Sequence, residues 1–247
     1  MKFNWLVGIL VLTCVWGIVS VFRLVSPLLL PAPWLVTKAT IVHLADGIFL
    51  RDMSWSVYRL AVGFILGAAT GIMIGVIFGL SSRLYSYSEL VLDFFRSLPV
   101  ITVFPLFMIL FGLGNAAKIA TTMWAVFLII TVSTVYGIRQ VPKTRVLSAR
   151  TLGARGLFLV THVILPSAIP SVVSGFRIAV SLGLVVVVIT EMFTGTDYGL
   201  GKRIYDSGLV YEMPTMYGAI LVTGFLGYLL NRIIVAGEHT FAYWSGD

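Results

Sequence analysis

The chain has 247 residues, 59% of them apolar and only 11% charged, and its mean hydropathy is +1.02. An average soluble chain is about 25% charged, and a water-exposed domain of this size cannot hide so much apolar surface, so most soluble fold classes are excluded. The 17 Lys+Arg against 10 Asp+Glu leave a net +7, which in so apolar a chain is read against a membrane before nucleic acid.

A crossing of the hydrocarbon layer needs about 20 mostly apolar residues. Six stretches meet this: Trp5–Val21, Val57–Leu80, Leu90–Phe111, Ala116–Ile138, Ile169–Phe193 and Tyr217–Val235. The first follows Met1-Lys2, as a signal peptide would. It runs on into Arg23-Leu24-Val25-Ser26-Pro27 with no small-residue cleavage pattern, so it is read as a retained span. Pro27, Pro31 and Pro33 bar a continuous helix after it. A short surface helix is expected over Trp34–Asp46, within an outer loop of 26–56. The expectation is one transmembrane domain over 1–247, all-α, with six spans. The lone Cys14 excludes an internal disulfide, and His43, His162 and His239 match no metal-ligand spacing.

The second span carries Gly63, Gly67, Gly71, Gly75 and Gly79. A four-residue spacing drifts slowly around a helix of 3.6 residues per turn and so makes one smooth stripe. Glycine is a poor helix former, so the run implies close helix packing; a pore-lining groove is the alternative. The third span holds Pro99 and Pro105, a pattern of kinked spans, with Phe104, Phe107 and Met108 available as an apolar gate. Charges inside spans cost about 2.5–3.5 kcal/mol on insertion scales. Arg96 is three residues from Asp93 and can pair with it. Arg177 lies in the fifth span. Glu191 ends the run Leu184–Thr190 and is either a buried hydrogen-bonding anchor for the turn after it or a residue on a transport path. The candidate path residues are Arg96, Phe104, Met108, Arg177 and Glu191.

The basic excess has a location. Phe94–Thr190 contains no Asp or Glu but eight Lys+Arg, five of them between Arg139 and Arg155. With the amino terminus inside, the inner segments hold eight Lys/Arg and the outer ones seven. The concentrated, acid-free 139–166 loop decides the orientation, placing it and both termini in the cytoplasm.

That loop reads as two short helices about a glycine. Pro142 can open the first, Gly153 breaks it and Pro166 is expected to stop the segment. Ser148-Ala149-Arg150, then Gly153, nine residues, then Val163-Ile164-Leu165-Pro166 resembles the coupling motif of ATP-binding-cassette import permeases. That motif is Glu-Ala-Ala, three residues, Gly, nine residues, Ile, any residue, Leu-Pro. Ser148 stands in place of its Glu and Arg150 in place of its second Ala. Arg96-Ser-Leu-Pro99, Phe111-Gly-Leu-Gly114, Gly175-Phe-Arg177, Glu191-Met192 and Gly199-Leu-Gly201 are similar to the nitrate, sulfonate, taurine and bicarbonate branch. The likeness runs from about Ser54 to the carboxyl end.

This resemblance implies a type I importer permease fold in a cell inner membrane. It also implies a homodimer, two cytoplasmic ATPase subunits that bind ATP and Mg, and an external binding protein delivering a small, anionic solute. The ATPase-coupling residues would be Arg145, Ser148, Ala149, Arg150, Leu152, Gly153, Ala154, Val163, Leu165 and Pro166. No nucleic-acid partner and no cofactor held by this chain are expected. Gly195–Gly201 followed by Lys202-Arg203 departs from a phosphate loop by one extra residue and by Arg203 for Ser/Thr, so it is read as an outer turn. The chain is therefore not expected to be an enzyme. The alternative is an ion-coupled secondary transporter or channel, which would often carry a repeated half; no duplicated half is evident.

Overall fold

The computed structural model describes residues 4–193 and 196–241, with side chains described from Val7 to Gly237. The described residues form helices and turns. The chain divides into two compact units: one runs up to Ser56 and adds Glu191–Leu226, the other holds Val57–Thr190 and the chain from Gly227.

Helix α1, Asn4–Val21, is apolar and shorter than the other spanning candidates. Helix α2, Pro33–Ala45, begins with proline at its first turn, where the missing N–H costs nothing. Gly47 then turns the chain at φ +74°. Helix α3, Ile48–Leu80, has 33 residues and starts nine before the expected span. Its extra turns are amphipathic, burying Phe49, Asp52 and Ser56, so an apolar window does not detect them. Helix α6, Asn115–Arg139, lies within a residue of expectation at each end.

The expected third span is not one helix. Helix α4, Ser82–Ser97, is followed by a 3-10 turn, Val100–Val103, and helix α5, Phe104–Phe111. The two parts meet at 91°. Leu98, preceding Pro99, is extended (φ −77°, ψ 128°), the conformation a following prolyl ring imposes. Pro105 produces no kink, because it sits in the first turn of α5.

The fifth span corrects the expectation for Pro166. Helix α7, Lys143–Thr151, is separate. From α8, Gly156–Leu159, however, the chain stays helical through a π turn at Val160–Ile164 into α9, Leu165–Phe193. Pro166 therefore does not end the segment. The wide i→i+5 turn just before it accommodates a residue that has no N–H and crowds the preceding turn. Helix α10, Leu200–Leu209, and helix α11, Met213–Phe241, complete the chain. By length and composition α3, α6, the α8–α9 run and α11 can each cross a bilayer, and the bent α4–α5 pair can supply a fifth crossing.

The glycine stripe lies against α6. A Cβ on Gly63 would stand 2.8 Å from Thr122 Cβ, on Gly67 2.8 Å from Val126 Cβ, and on Gly71 3.0 Å from Ile130 Cβ. On Gly75 it would be 2.6 Å from Thr134 Cβ, and on Gly79 3.0 Å from Ile138 Cβ. The partners rise in steps of four alongside the glycines, so α3 and α6 run parallel in register. Five turns of backbone meet side chains with no room for a methyl group. Ala68, Val126, Ile130 and Ala179 form the adjoining core, with Phe64 edge-on to Phe176 at 5.5 Å.

Candidate functional site

The expected path residues do not converge on one point. Arg96 is half exposed, pairs with Asp93 at 3.4 Å, and lines a cavity of about 520 Å³. The cavity's other walls are mostly apolar, from Val100 and Ile101, from α6 (Leu128, Ile129, Val132) and from α9 (Ile178, Leu182, Val185). Phe104 is buried at the start of α5 and Met108 is half-buried one turn on. Arg177 is exposed on α9, one residue before Ile178 of the cavity wall. Only Arg96 among the five lines this cavity.

Glu191 lies elsewhere, in a buried hydrogen-bonded cluster. Its carboxylate is 1% exposed and accepts from the Gly201 N–H at 2.9 Å and from the Ser56 hydroxyl at 2.9 and 3.0 Å. Ser56 Oγ accepts from the Leu200 N–H at 3.0 Å. Asp52, also 1% exposed, accepts from the Gly199 N–H at 3.1 Å and from Arg203 Nε at 2.8 Å. Three successive backbone donors at the start of α10 are thus bound by two carboxylates and a hydroxyl. A helix start presents unpaired N–H groups and a partial positive charge, and both are satisfied here. This is the geometry of an anchor for the turn after Glu191. It also occupies the donors that a phosphate would need at Gly199–Gly201; Gly195, the first residue of that stretch, lies outside the described residues. Asp52 and Ser56 escape the sequence reading because they sit in what is taken for a loop. Their i, i+4 spacing just before a span is the signal that places them on one face.

The basic segment after α6 has a defined shape. Pro142 precedes α7, and its carbonyl accepts from Arg145 and Val146. Gly153 has φ +93°, a conformation that favours glycine. Around it the Ala154 N–H bonds Ala149 O at 2.9 Å and the Gly153 N–H bonds Arg150 O at 3.0 Å, the paired closure that ends a helix on a left-handed residue. Ala154 is tucked in, while Arg145, Ser148, Arg150, Leu152 and Gly153 are exposed. Ala149, Val163, Leu165 and Pro166 are half-buried. Leu152 and Leu157 are 88% and 77% exposed, a cost in water that a covering partner would remove. Arg145 Nη1 donates to Ser167 Oγ at 2.9 Å, and Ser167 donates to Val163 O. The segment is thereby tied to the base of α9.

Among the described residues, no group of three or more His, Cys, Asp or Glu side chains is placed to hold a metal ion.

Comparison with known proteins gives a consistent picture. Residues 67–237 match the family described as binding-protein-dependent transport system inner membrane component. A probable ABC transporter permease protein of Brucella abortus is 31% identical over 216 residues, 87% of this chain and 86% of that one. The putative aliphatic sulfonates transport permease protein SsuC of Bacillus subtilis is 28% identical over 249 residues, 100% of this chain and 90% of that one. Among solved structures, an inward-facing form of the MetNI methionine ABC transporter has a chain with a similar fold. The TM-score is 0.68 at 21% identity, over 78% of this chain and 97% of the other.

Proposed function

Since the chain belongs to the family of binding-protein-dependent transport inner-membrane components, and is a non-catalytic permease subunit of an ATP-binding-cassette importer, we propose that it forms a path for a small oxyanion. It does so by alternating access, in a homodimer. The ATPase is carried by a partner, which binds ATP and Mg. An external binding protein delivers the solute. The 139–166 loop and both termini face the cytoplasm.

The observation that carries the coupling role is the exposed helix-glycine-helix element. Leu152 and Leu157 project from it, and its Arg145–Ser167 bond leads directly to α9. A partner seated on α7 has a mechanical route into a spanning helix. The path is assigned to the groove lined by α6, α9 and Arg96. Support for an anionic solute comes from the acid-free Phe94–Thr190 stretch and from the sulfonate relative. Phe104 and Met108, on α5, are not among the residues that line this groove, Arg177 adds charge beside it, and Glu191 holds the turn that follows α9.

The test is uptake of labelled ethanesulfonate and nitrate by cells expressing the chain with its neighbouring ATPase and binding protein. Uptake of at least one, abolished when the ATPase phosphate-loop lysine is replaced and unaffected by a protonophore, supports the reading. Uptake that persists without ATPase activity and collapses with the ion gradient favours the secondary transporter.

A further inference from the structure

Hydroxyls inside spanning helices usually bond to a carbonyl one turn back. Here Thr70 donates to Leu66 O, Thr121 to Ala117 O, Thr122 to Lys118 O, Ser181 to Arg177 O and Thr223 to Ala219 O. Ser133, Ser171 and Ser174 make no hydrogen bond among the described residues, yet all three line one cavity of about 450 Å³. Tyr136 and Pro170 share its wall. The serines are brought together by close crossing of α6 and α9. A Cβ on Gly137 would stand 2.9 Å from Ser171 Cβ, and one on Gly175 2.6 Å from Ser133 Cβ. Two glycines therefore make the approach, and Ser171 and Ser174 follow on one face of α9.

The surrounding charge is positive. Arg145 is bonded to Ser167, one turn before Ser171. Arg177 follows Ser174 by one turn. Arg96 lines the adjoining cavity, which shares Val132, Ser133 and Ile178. Glu89 and Asp93 line a third cavity, which shares Val132 and Tyr136 with the serine cavity and also holds Arg96 and Arg139; there Asp93 pairs with Arg96 and Glu89 accepts from Tyr85.

Three free hydroxyl donors in a positive field suit a solute group that only accepts hydrogen bonds. A cation would meet like charge, and an apolar solute would leave the hydroxyls unpaired. Neutral hydroxyls also bind more weakly than guanidinium groups, as passage requires: a solute must enter readily and leave readily. We propose that Ser133, Ser171 and Ser174 form a transient subsite for the oxyanion head of the solute, a sulfonate- or nitrate-type group, as it crosses along α6 and α9. This rests on the importer reading above and adds to it the residues that touch the solute.

The experiment uses the complete reconstituted transporter on a Cys14→Ser background, with Ser133→Cys, Ser171→Cys and Ser174→Cys made singly. Each is treated during ATP turnover with 2-sulfonatoethyl methanethiosulfonate and with its 2-trimethylammonioethyl counterpart. The expected result is modification of at least two of the three thiols, with an anionic-to-cationic rate ratio about tenfold above that of a free thiol in the same buffer. A ratio at or below the free-thiol value, or no modification by either reagent, overturns the proposal. Co-purification of the ATPase subunits with each variant is scored in parallel. A complex that assembles and hydrolyses ATP but shows no anion preference loses this subsite alone; a chain that never associates with an ATPase loses the importer reading.

Discussion

At the residue scale, the buried cap on α10 is the most tightly defined polar feature. Glu191, Ser56 and Asp52 hold three successive N–H groups, and each is almost wholly shielded from water. Hydrogen bonds to charged groups contribute about 1.5–3 kcal/mol each. Glu191→Ala is expected to destabilise the solubilised complex by roughly 3 kcal/mol. Amide exchange should quicken over Leu200–Leu209. Glu191→Gln keeps the acceptor oxygen and should cost less. Unchanged exchange over α10 in the alanine variant would remove the anchoring role. The sequence leaves Glu191 between anchor and path residue because a carboxylate after an apolar run is ambiguous without its partners. Its side-chain partner Ser56 is 135 residues away on α3, in a stretch that composition alone reads as a loop, and its backbone partner Gly201 opens α10.

Element boundaries were readable where one physical signal dominates. Helix α6 is bounded by Gly114 and by the basic, proline-containing segment after Arg139, and both ends agree with the apolar window. The glycine spacing identified the smooth face of α3, and its partner positions on α6 repeat at the same interval. Prolines were read less well, because the ring's effect depends on position. Pro99 breaks a helix, Pro105 starts one, and Pro166 and Pro170 are carried inside one. Two of the seven outer Lys/Arg, Lys118 and Arg59, are buried in α6 and α3, so the evenly matched charge count includes residues that lie outside any loop. Overpacking a filled interface costs about 1–3 kcal/mol or more. Gly71→Leu, facing Ile130 and the Phe127 carbonyl, should therefore abolish recovery of assembled complex by size exclusion, while Gly8→Leu, with open space around it, should not. Equal recovery of the two variants would contradict the packing role. Gly153→Val places a branched residue at φ +93° and should lower coupled uptake several-fold through loss of the α7 closure. Full uptake at wild-type ATP hydrolysis would show that the hinge geometry is dispensable.

For the whole molecule, the apolar content resolves into long helices, and the basic excess into one acid-free stretch that holds the groove, the serine cavity and the α7 element. The spanning character was legible from composition, and the break between α7 and α8 from Pro142 and Gly153. The convergence of side chains in the groove was not legible, since it depends on how α6 and α9 cross. The central claim is that motion of an ATPase enters the spans through 145–166. The most direct measurement is a disulfide scan between Ala149→Cys or Gly153→Cys, on the Cys14→Ser background, and thiols introduced around the groove of the partner ATPase in native membranes. The account predicts rapid crosslinks from both positions, with yields that change between nucleotide-free and ATP-trapped states. Efficient assembly with no crosslink from either position, or yields indifferent to nucleotide, would contradict it.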